Sequence, residues 1–272
     1  MENDSKLKKE EADENYLNKT LMNGLKILEE FSENNTEMEL KELVDAVELN
    51  KSSVWRLVYT LEHMGYLQSI PDENKYKLSF KGLNFARIIL NDLNIREKAL
   101  PYLKRLSEKL DLNVNLSMLA QDKAVLIATK SAPSIPDNYF HVGRELPLHA
   151  TASGKVLLAF QPVKRREEIL ENLEMDELTK YTKTDKKELE DNLKEIRERG
   201  YAFDREEYAV NTRCLAFPII NDKGEITASL SVSSRKLKSR DELNMEEYLD
   251  DVAKIADDIS YELGFGLFSP IG

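Results

Sequence analysis

The stretch "LPLHATASGKVLLAF", residues 146–160, places Pro147, His149, Thr151, Ser153 and Gly154 just ahead of a run of large apolar residues. The pattern predicts a helix starting at about His149. A helix start presents unpaired N–H groups and the positive end of the helix dipole. Small residues there, Ala152, Ser153 and Gly154, let an anion approach the backbone, and Thr151 and Ser153 add hydroxyl donors. This is anion-binding chemistry without lysine or arginine, and it favours a small carboxylate as ligand. A second reading stays open, in which the small residues only allow close packing of helix on sheet.

Other reactive residue types give weaker patterns. Cys214 with His149 is a nucleophile–base pair in type, but the sequence offers no third orienting group, and a lone cysteine inside "RCLAFPI" suits a buried small hydrophobe. Asp204, Glu206 and Glu207 are carboxylates of the kind that bind metals. Strand alternation would put Asp204 and Glu206 on one face and Glu207 on the other, which leaves one inward acid rather than a ligand set. Lys164-Arg165-Arg166 reads as a solvated helix start. With three histidines and one cysteine, neither a zinc site nor an intrachain disulfide is expected. No catalytic residue, metal or cofactor is expected either.

A different chemistry lies nearer the N-terminus. In "KSSVWRLVYTLEHM", Val54, Leu57, Val58 and Leu61 form an apolar helical stripe. At about 100° per residue, Ser52, Arg56, Tyr59 and His63 point away from that stripe, with Trp55 at its edge. Hydroxyl, guanidinium and aromatic groups on one helix face can reach phosphates and base edges. A merely solvated face would more usually carry Glu and Lys.

Elements must position that face. Leu21, Leu25, Leu28 and Phe31 space a first helix, and Leu40, Leu43, Val44 and Val47 a second. A polar break, "SENNTEM", lies between them. Glu48-Leu49-Asn50 separates the second helix from the third, with Asn50 a competent N-cap, giving a helix-turn-helix. Gly65 can end the third helix. "YLQSI" and "KYKLS" then read as two strands around a turn of Pro71, Asp72 and Asn74, a wing with Lys75 and Lys77 on one face. Residues 20–82 are thus expected to form a winged helix-turn-helix whose DNA contacts are Lys51, Ser52, Ser53, Trp55, Arg56, Tyr59, Lys75 and Lys77. Lys81 extends this basic surface. The net charge of −11 opposes a nucleic-acid partner, yet most local acids fall between Glu29 and Glu48, away from that surface.

Residues 1–19 are polar and aperiodic and read as a disordered tail. Residues 83–110 read as a helical linker, with Pro101 in the first turn of a new helix. From residue 111 to 272 the period changes. "NVNLSMLAQ" and "AVLIATK" read as a hairpin around Gln121-Asp122-Lys123, and "YFHV" as a third strand. Helices are expected at 163–171 and 185–199, ending at Gly200. "YAFDRE", "RCLAFPII" and "ITASLSVSS" give further strands, the last two joined by Asn221-Asp222-Lys223-Gly224. A helix runs from Met245 to Leu263. This order indicates an α+β domain on a mainly antiparallel sheet.

Of the 272 residues, 41% are hydrophobic and 33% charged, enough for packed cores under a polar surface. No stretch approaches the roughly 18 apolar residues of a membrane span. The charged N-terminus lacks a secretory h-region, and the cysteine-poor chain fits the cytoplasm.

"LPLHATASGKVLLA", "RGYAFDREEYAVNTRCLAFPI" and "KGEITASLSVSS", in that order behind a winged helix, resemble the IclR-type family of transcriptional regulators. The likeness covers residues 20–264. It implies a GAF-like effector-binding domain, no enzymatic activity, double-stranded operator DNA as partner, and assembly as a homodimer or dimer of dimers. It implies effector contacts at Leu146, Ala152, Ser153, Gly154, Asp204, Cys214, Ser231 and Ser233. An ionised Asp204 there would accept hydrogen bonds, favouring hydroxy- or keto-acids. Asn211 stands where the family usually has glycine, and Asn tolerates the left-handed backbone. Ser234-Arg235 replaces a familiar Gly-Pro at the pocket rim. The sequence reading therefore gives a ligand-responsive DNA-binding regulator, of repressor type. The alternative is a winged-helix protein-interaction module joined to a metabolite-binding or enzymatic domain.

Overall fold

The computed structural model describes residues 16–47, 49–71, 73–134, 140–235 and 244–266. Most of the expected tail, residues 1–15, lies outside these, as do the expected turn residues Glu48 and Asp72 and the expected strand residue Tyr139. The chain divides into two compact units between Ile89 and Leu90.

In the first unit, α1 (Lys19–Glu29) starts where Asn18 accepts a hydrogen bond from the Leu21 N–H at 3.1 Å, so the helix reaches into the segment read as tail. Its buried residues are Gly24 and Ile27, while Leu21 and Leu25 stay exposed. Of the apolar stripe read from the sequence, Phe31 and Leu28 reach the core, while Leu21 and Leu25 do not. Ile27 and Phe31 pack with Leu43 of α2 (Leu40–Val47), Val54 and Val58 of α3 (Lys51–His63), Met38 and Leu67. Asn50 caps α3, its Oδ1 accepting from the Ser53 N–H at 2.9 Å. Gly65 adopts φ +77°, and the Tyr66 N–H closes the helix end on the Leu61 carbonyl at 2.8 Å.

The wing hairpin, β2 (Leu67–Ile70) and β3 (Lys75–Leu78), gains a third strand that the sequence reading took for a break. β1 (Glu37–Glu39) pairs with the free edge of β3, giving the order β1-β3-β2. Three residues show too little alternation to declare a strand. α4 (Gly82–Asp92) follows, with no buried residue and with the unit boundary inside it.

In the second unit, α5 (Asn94–Leu110) starts after Leu93, so Pro101 sits inside the helix rather than in its first turn. The proline withholds one backbone donor, while burial of Ile95, Ala99, Leu103 and Leu106 holds the helix in place. Residues 94–110 are therefore built into the second core.

Six antiparallel strands form the sheet in the order β6-β5-β4-β9-β8-β7. They are β4 (Asn113–Ala120), β5 (Lys123–Lys130), β6 (Glu145–Pro147), β7 (Ala202–Arg205), β8 (Thr212–Ile220) and β9 (Ile226–Arg235). The third strand is thus β6; Phe140, His141 and Val142 are not extended in the sheet. On one sheet face Val114, Leu215, Leu230 and Val232 meet α5 and α9 (Leu249–Glu262), which a 3-10 turn, Met245–Tyr248, precedes. On the other lies α6 (Ala152–Ala159), flanked by α7 (Val163–Asn172) and α8 (Lys186–Arg199).

α6 starts three residues later than His149. Thr151 is its N-cap, taking the Gly154 N–H on Oγ1 at 3.0 Å and donating to the Pro147 carbonyl at 2.8 Å. Thr151 is the better cap in type, and the His149 ring is committed elsewhere, Nε2 lying 3.0 Å from the Asp176 carbonyl.

Candidate nucleic-acid interface and buried polar site

Burial of Val54 and Val58 fixes which side of α3 faces out. Lys51, Ser52, Trp55, Arg56, Tyr59 and His63 are exposed on it, while Ser53 is half-buried. Three of these side chains interact. The Trp55 and Tyr59 rings stack at 5.4 Å between centroids with planes 18° apart, and Tyr59 and His63 at 6.4 Å and 12°. Spacing of four residues puts them one above the other on the helix.

The wing is less basic than the sequence suggests. In the ladder, Glu37 lies opposite Lys77 and Glu39 opposite Lys75. Directly paired residues share a sheet face, so each lysine has a carboxylate neighbour. Lys81 is also drawn away. Its Nζ donates to the Met64 carbonyl at 2.6 Å and sits 4.4 Å from the Tyr66 ring centroid, closing the end of α3.

The second constellation lies in the other unit, on the sheet face toward α6. Cross-strand register sets Asp204, Cys214, Ser233 and Asn113 in one row across β7, β8, β9 and β4. Ala202, Ala216, Ser231 and Asn115 form the next row on the same face. Asp204, Ser231 and Ser233 are buried, as are Ala152 and Ser153 at the start of α6. Leu146, on the opposite edge strand, joins the same apolar cluster as Ala152 and Ala216. Gly154 has a packing role. A Cβ on it would lie 2.6 Å from both the Leu148 Cα and the Pro147 carbonyl oxygen, and its N–H is already held by Thr151.

Two further residues belong here. Lys155, 2% exposed, donates through Nζ to Glu207 Oε1 at 2.6 Å, and Glu207 is 8% exposed. Every residue of α6 is buried, so a lysine in an otherwise apolar helix had to find a buried carboxylate. That was the signal in "ASGKVLLA". Glu207 was assigned to the wrong face because strand alternation does not continue to it. β7 ends at Arg205, Glu206 adopts φ +70°, and Asp204 Oδ1 accepts the Glu207 N–H at 2.8 Å. The turn brings Glu207 beside Asp204 and sends Glu206 to Arg213, 3.8 Å away. Asn211 takes φ +62°, the left-handed backbone expected of it.

Burial sets the electrostatics. It raises the Asp204 carboxyl to about 7, with Lys155 opposing and Glu207 adding to the rise. Asp204 therefore takes up a proton near neutral pH, and its neutral form can donate a hydrogen bond, where the sequence reading took it as an acceptor only. Burial lowers Lys155, against the pull of Glu207. Burial also pushes the Cys214 thiol well up, with the Asp204 charge adding to it, which favours the protonated sulfur. Burial lowers His149, which leaves a neutral ring. Its Nε2–H then donates to the Asp176 carbonyl, and Nδ1 is left without a partner. Asp204 Oδ2, Glu207 Oε2 and Ser233 Oγ are also buried without hydrogen-bond partners. Among the described residues, no group of three or more His, Cys, Asp or Glu is arranged to hold a metal ion, and no helix is long and apolar enough to cross a membrane.

A winged helix with an exposed polar and aromatic face in the first unit, and an α+β fold with a buried polar row in the second, are features of a DNA-reading regulator. Residues 88–261 match the family model of the bacterial transcriptional regulator IclR C-terminal domain, and residues 20–71 that of the IclR helix-turn-helix domain. The chain belongs to the IclR family, and it is a DNA-binding transcriptional regulator. It is 32% identical over 259 residues to the DNA-binding transcriptional repressor YiaJ of Escherichia coli (strain K12), covering 93% of this chain and 90% of that one. To the HTH-type transcriptional regulator XynR of the same organism it is 31% identical over 243 residues, 89% and 96% of the two chains. The crystal structure of Thermotoga maritima IclR matches with a TM-score of 0.69 at 28% identity, over 90% of this chain and 99% of that one.

Proposed function

We propose that the chain is a repressor whose second unit binds a small organic acid and thereby changes the affinity of the first for operator DNA. The observation that carries this reading is the row Asp204–Cys214–Ser233 on the sheet face toward α6, buried at Asp204 and Ser233 and half-buried at Cys214, with Asp204 Oδ2 and Ser233 Oγ unpartnered. Buried polar atoms without partners are costly, and a ligand that satisfies them recovers that cost. Ser231, Ser233 and the N–H groups of Ala152 and Ser153 supply donors to a carboxylate, and Leu146 an apolar wall. Gly154 acts by letting α6 approach β6. Neutral Asp204 adds an O–H donor, so simple carboxylic acids qualify as well as hydroxy- and keto-acids. The positive charge of Lys155 is already paired with Glu207, so the ligand carboxylate relies on N–H and O–H donors.

Lys51, Ser52, Ser53, Trp55, Arg56, Tyr59, Lys75 and Lys77 form the operator contacts in this reading, in the cytoplasm where the bacterial chromosome lies. Two copies pair through the apolar groove of the first unit. This groove, about 1010 Å³, is lined by α1, the back of α3 and α4. Leu21, Leu25, Met64, Phe80, Leu83 and Phe85 are all exposed on it. Pairing of two copies would take these side chains out of water. Leu25→Asp with Leu83→Asp should give a monomer by light scattering; a persisting dimer places the interface elsewhere. The ligand reading is tested by screening small organic acids for thermal stabilisation, with Asp204→Leu/Ser233→Leu as control. An acid that stabilises that variant as well as the natural chain binds somewhere else.

A further inference from the structure

The DNA-reading role of α3 leaves one feature unexplained, the ladder of Trp55, Tyr59 and His63. Trp55 and Tyr59 are 51% and 57% exposed, so the ladder is not part of the core. We propose that the stacked rings of Trp55 and Tyr59 read thymine C5-methyl groups in the major groove, and that the operator half-site is specified by thymines at the positions they cover. This rests on α3 being the DNA-reading helix.

Three observations lead there. The first is chemical. Base edges in the major groove display hydrogen-bonding groups, and the thymine methyl is the apolar group among them. The outer face of Trp55 and the exposed ring edge of Tyr59, held out beside Ser52 and Arg56, have that methyl as their apolar complement. The second is order. The 5.4 Å stack of Trp55 on Tyr59, backed by His63 at 6.4 Å, holds the rings in one arrangement before DNA arrives. Contact then requires little further side-chain ordering. The third is charge. The chain carries −11 overall, and Glu37 and Glu39 sit across from Lys77 and Lys75. A weak positive field makes phosphate attraction a poor source of affinity, so base-edge contacts have more to supply.

The test selects binding sites for the full chain from a random duplex pool, then remakes the selected site with uracil for thymine. Uracil lacks the methyl and keeps the same hydrogen-bonding edge. The natural chain should bind the uracil site about fourfold more weakly for each contacted methyl removed. In Trp55→Ala/Tyr59→Ala, affinity for the thymine site should fall and the thymine-to-uracil ratio should drop close to one. Arg56→Ala, which removes a polar contact on the same helix, should weaken binding and keep the ratio. Equal binding of thymine and uracil sites by the natural chain overturns the proposal and assigns the ladder to some other surface, such as a protein partner. A ratio unchanged in Trp55→Ala/Tyr59→Ala overturns it too. Failure to enrich any site is a separate result: it removes the DNA-reading role of α3, and the proposal with it.

Discussion

Replacing Lys155 by methionine should expose how the buried site is held. Lys155 and Glu207 meet at 2.6 Å with almost no solvent access, and Glu207 Oε2 already lacks a partner. In Lys155→Met the glutamate is left without its counter-charge. Losing one partner of a buried pair typically costs about 3–5 kcal/mol. Asp204, which the same lysine pulls down, takes up its proton more fully in the variant. For a unit of this size the loss corresponds to a drop of roughly 6–20 °C in Tm. The double variant Lys155→Met/Glu207→Gln, with no buried charge at this pair, should recover most of it. Denaturant unfolding of the second unit's transition at pH 7 measures both variants. A loss below about 1 kcal/mol in Lys155→Met, or no recovery in the double variant, would refute the reasoning.

Asp204→Asn should flatten the pH dependence of stability. The folded-state value near 7 lies above the unfolded one near 4. The stability tied to protonated Asp204 is therefore full below about pH 4 and lost as pH rises to 7, a difference of a few kcal/mol. Denaturation midpoints at pH 4.5 and 7 should fall further for the natural chain than for the variant. Gly154→Ala should cost about 1–3 kcal/mol, seen in thermal unfolding, because its new methyl meets the Pro147–Leu148 backbone. Ser233→Ala removes a buried hydroxyl that has no partner, so stability should hold or rise. Affinity for the acid found by screening should nonetheless drop about five- to tenfold in calorimetry.

Legibility in the sequence followed the strength of local signals. α3 was readable because Val54, Leu57, Val58 and Leu61 carry the helical period and Asn50 and Gly65 mark its ends. The sheet strands other than β6 were readable from alternation and from turns such as Asn221–Gly224. β1 and β6, of three residues each, carry too little pattern and exist because a neighbouring strand offers a free edge. Leu21 and Leu25 have the spacing of core residues, but periodicity cannot tell a core face from an exposed apolar one. The row of Asp204, Cys214 and Ser233 came from likeness to a family, and only register shows that they are neighbours. Lys155 with Glu207 was missed because the bond spans 52 residues, and because the turn at Glu206 reverses the face on which Glu207 emerges.

The central claim is that a small acid in the second unit and operator DNA on the first are linked. Linkage is reciprocal, so an acid that changes operator affinity must have its own affinity changed by the operator to the same factor. Calorimetric titration of the selected acid into the full chain, alone and saturated with operator, measures one factor. Operator titration with and without the acid measures the other. The account predicts equal factors of at least about fivefold, with both falling toward one in Asp204→Leu/Ser233→Leu. An acid that binds tightly while leaving operator affinity unchanged would contradict it.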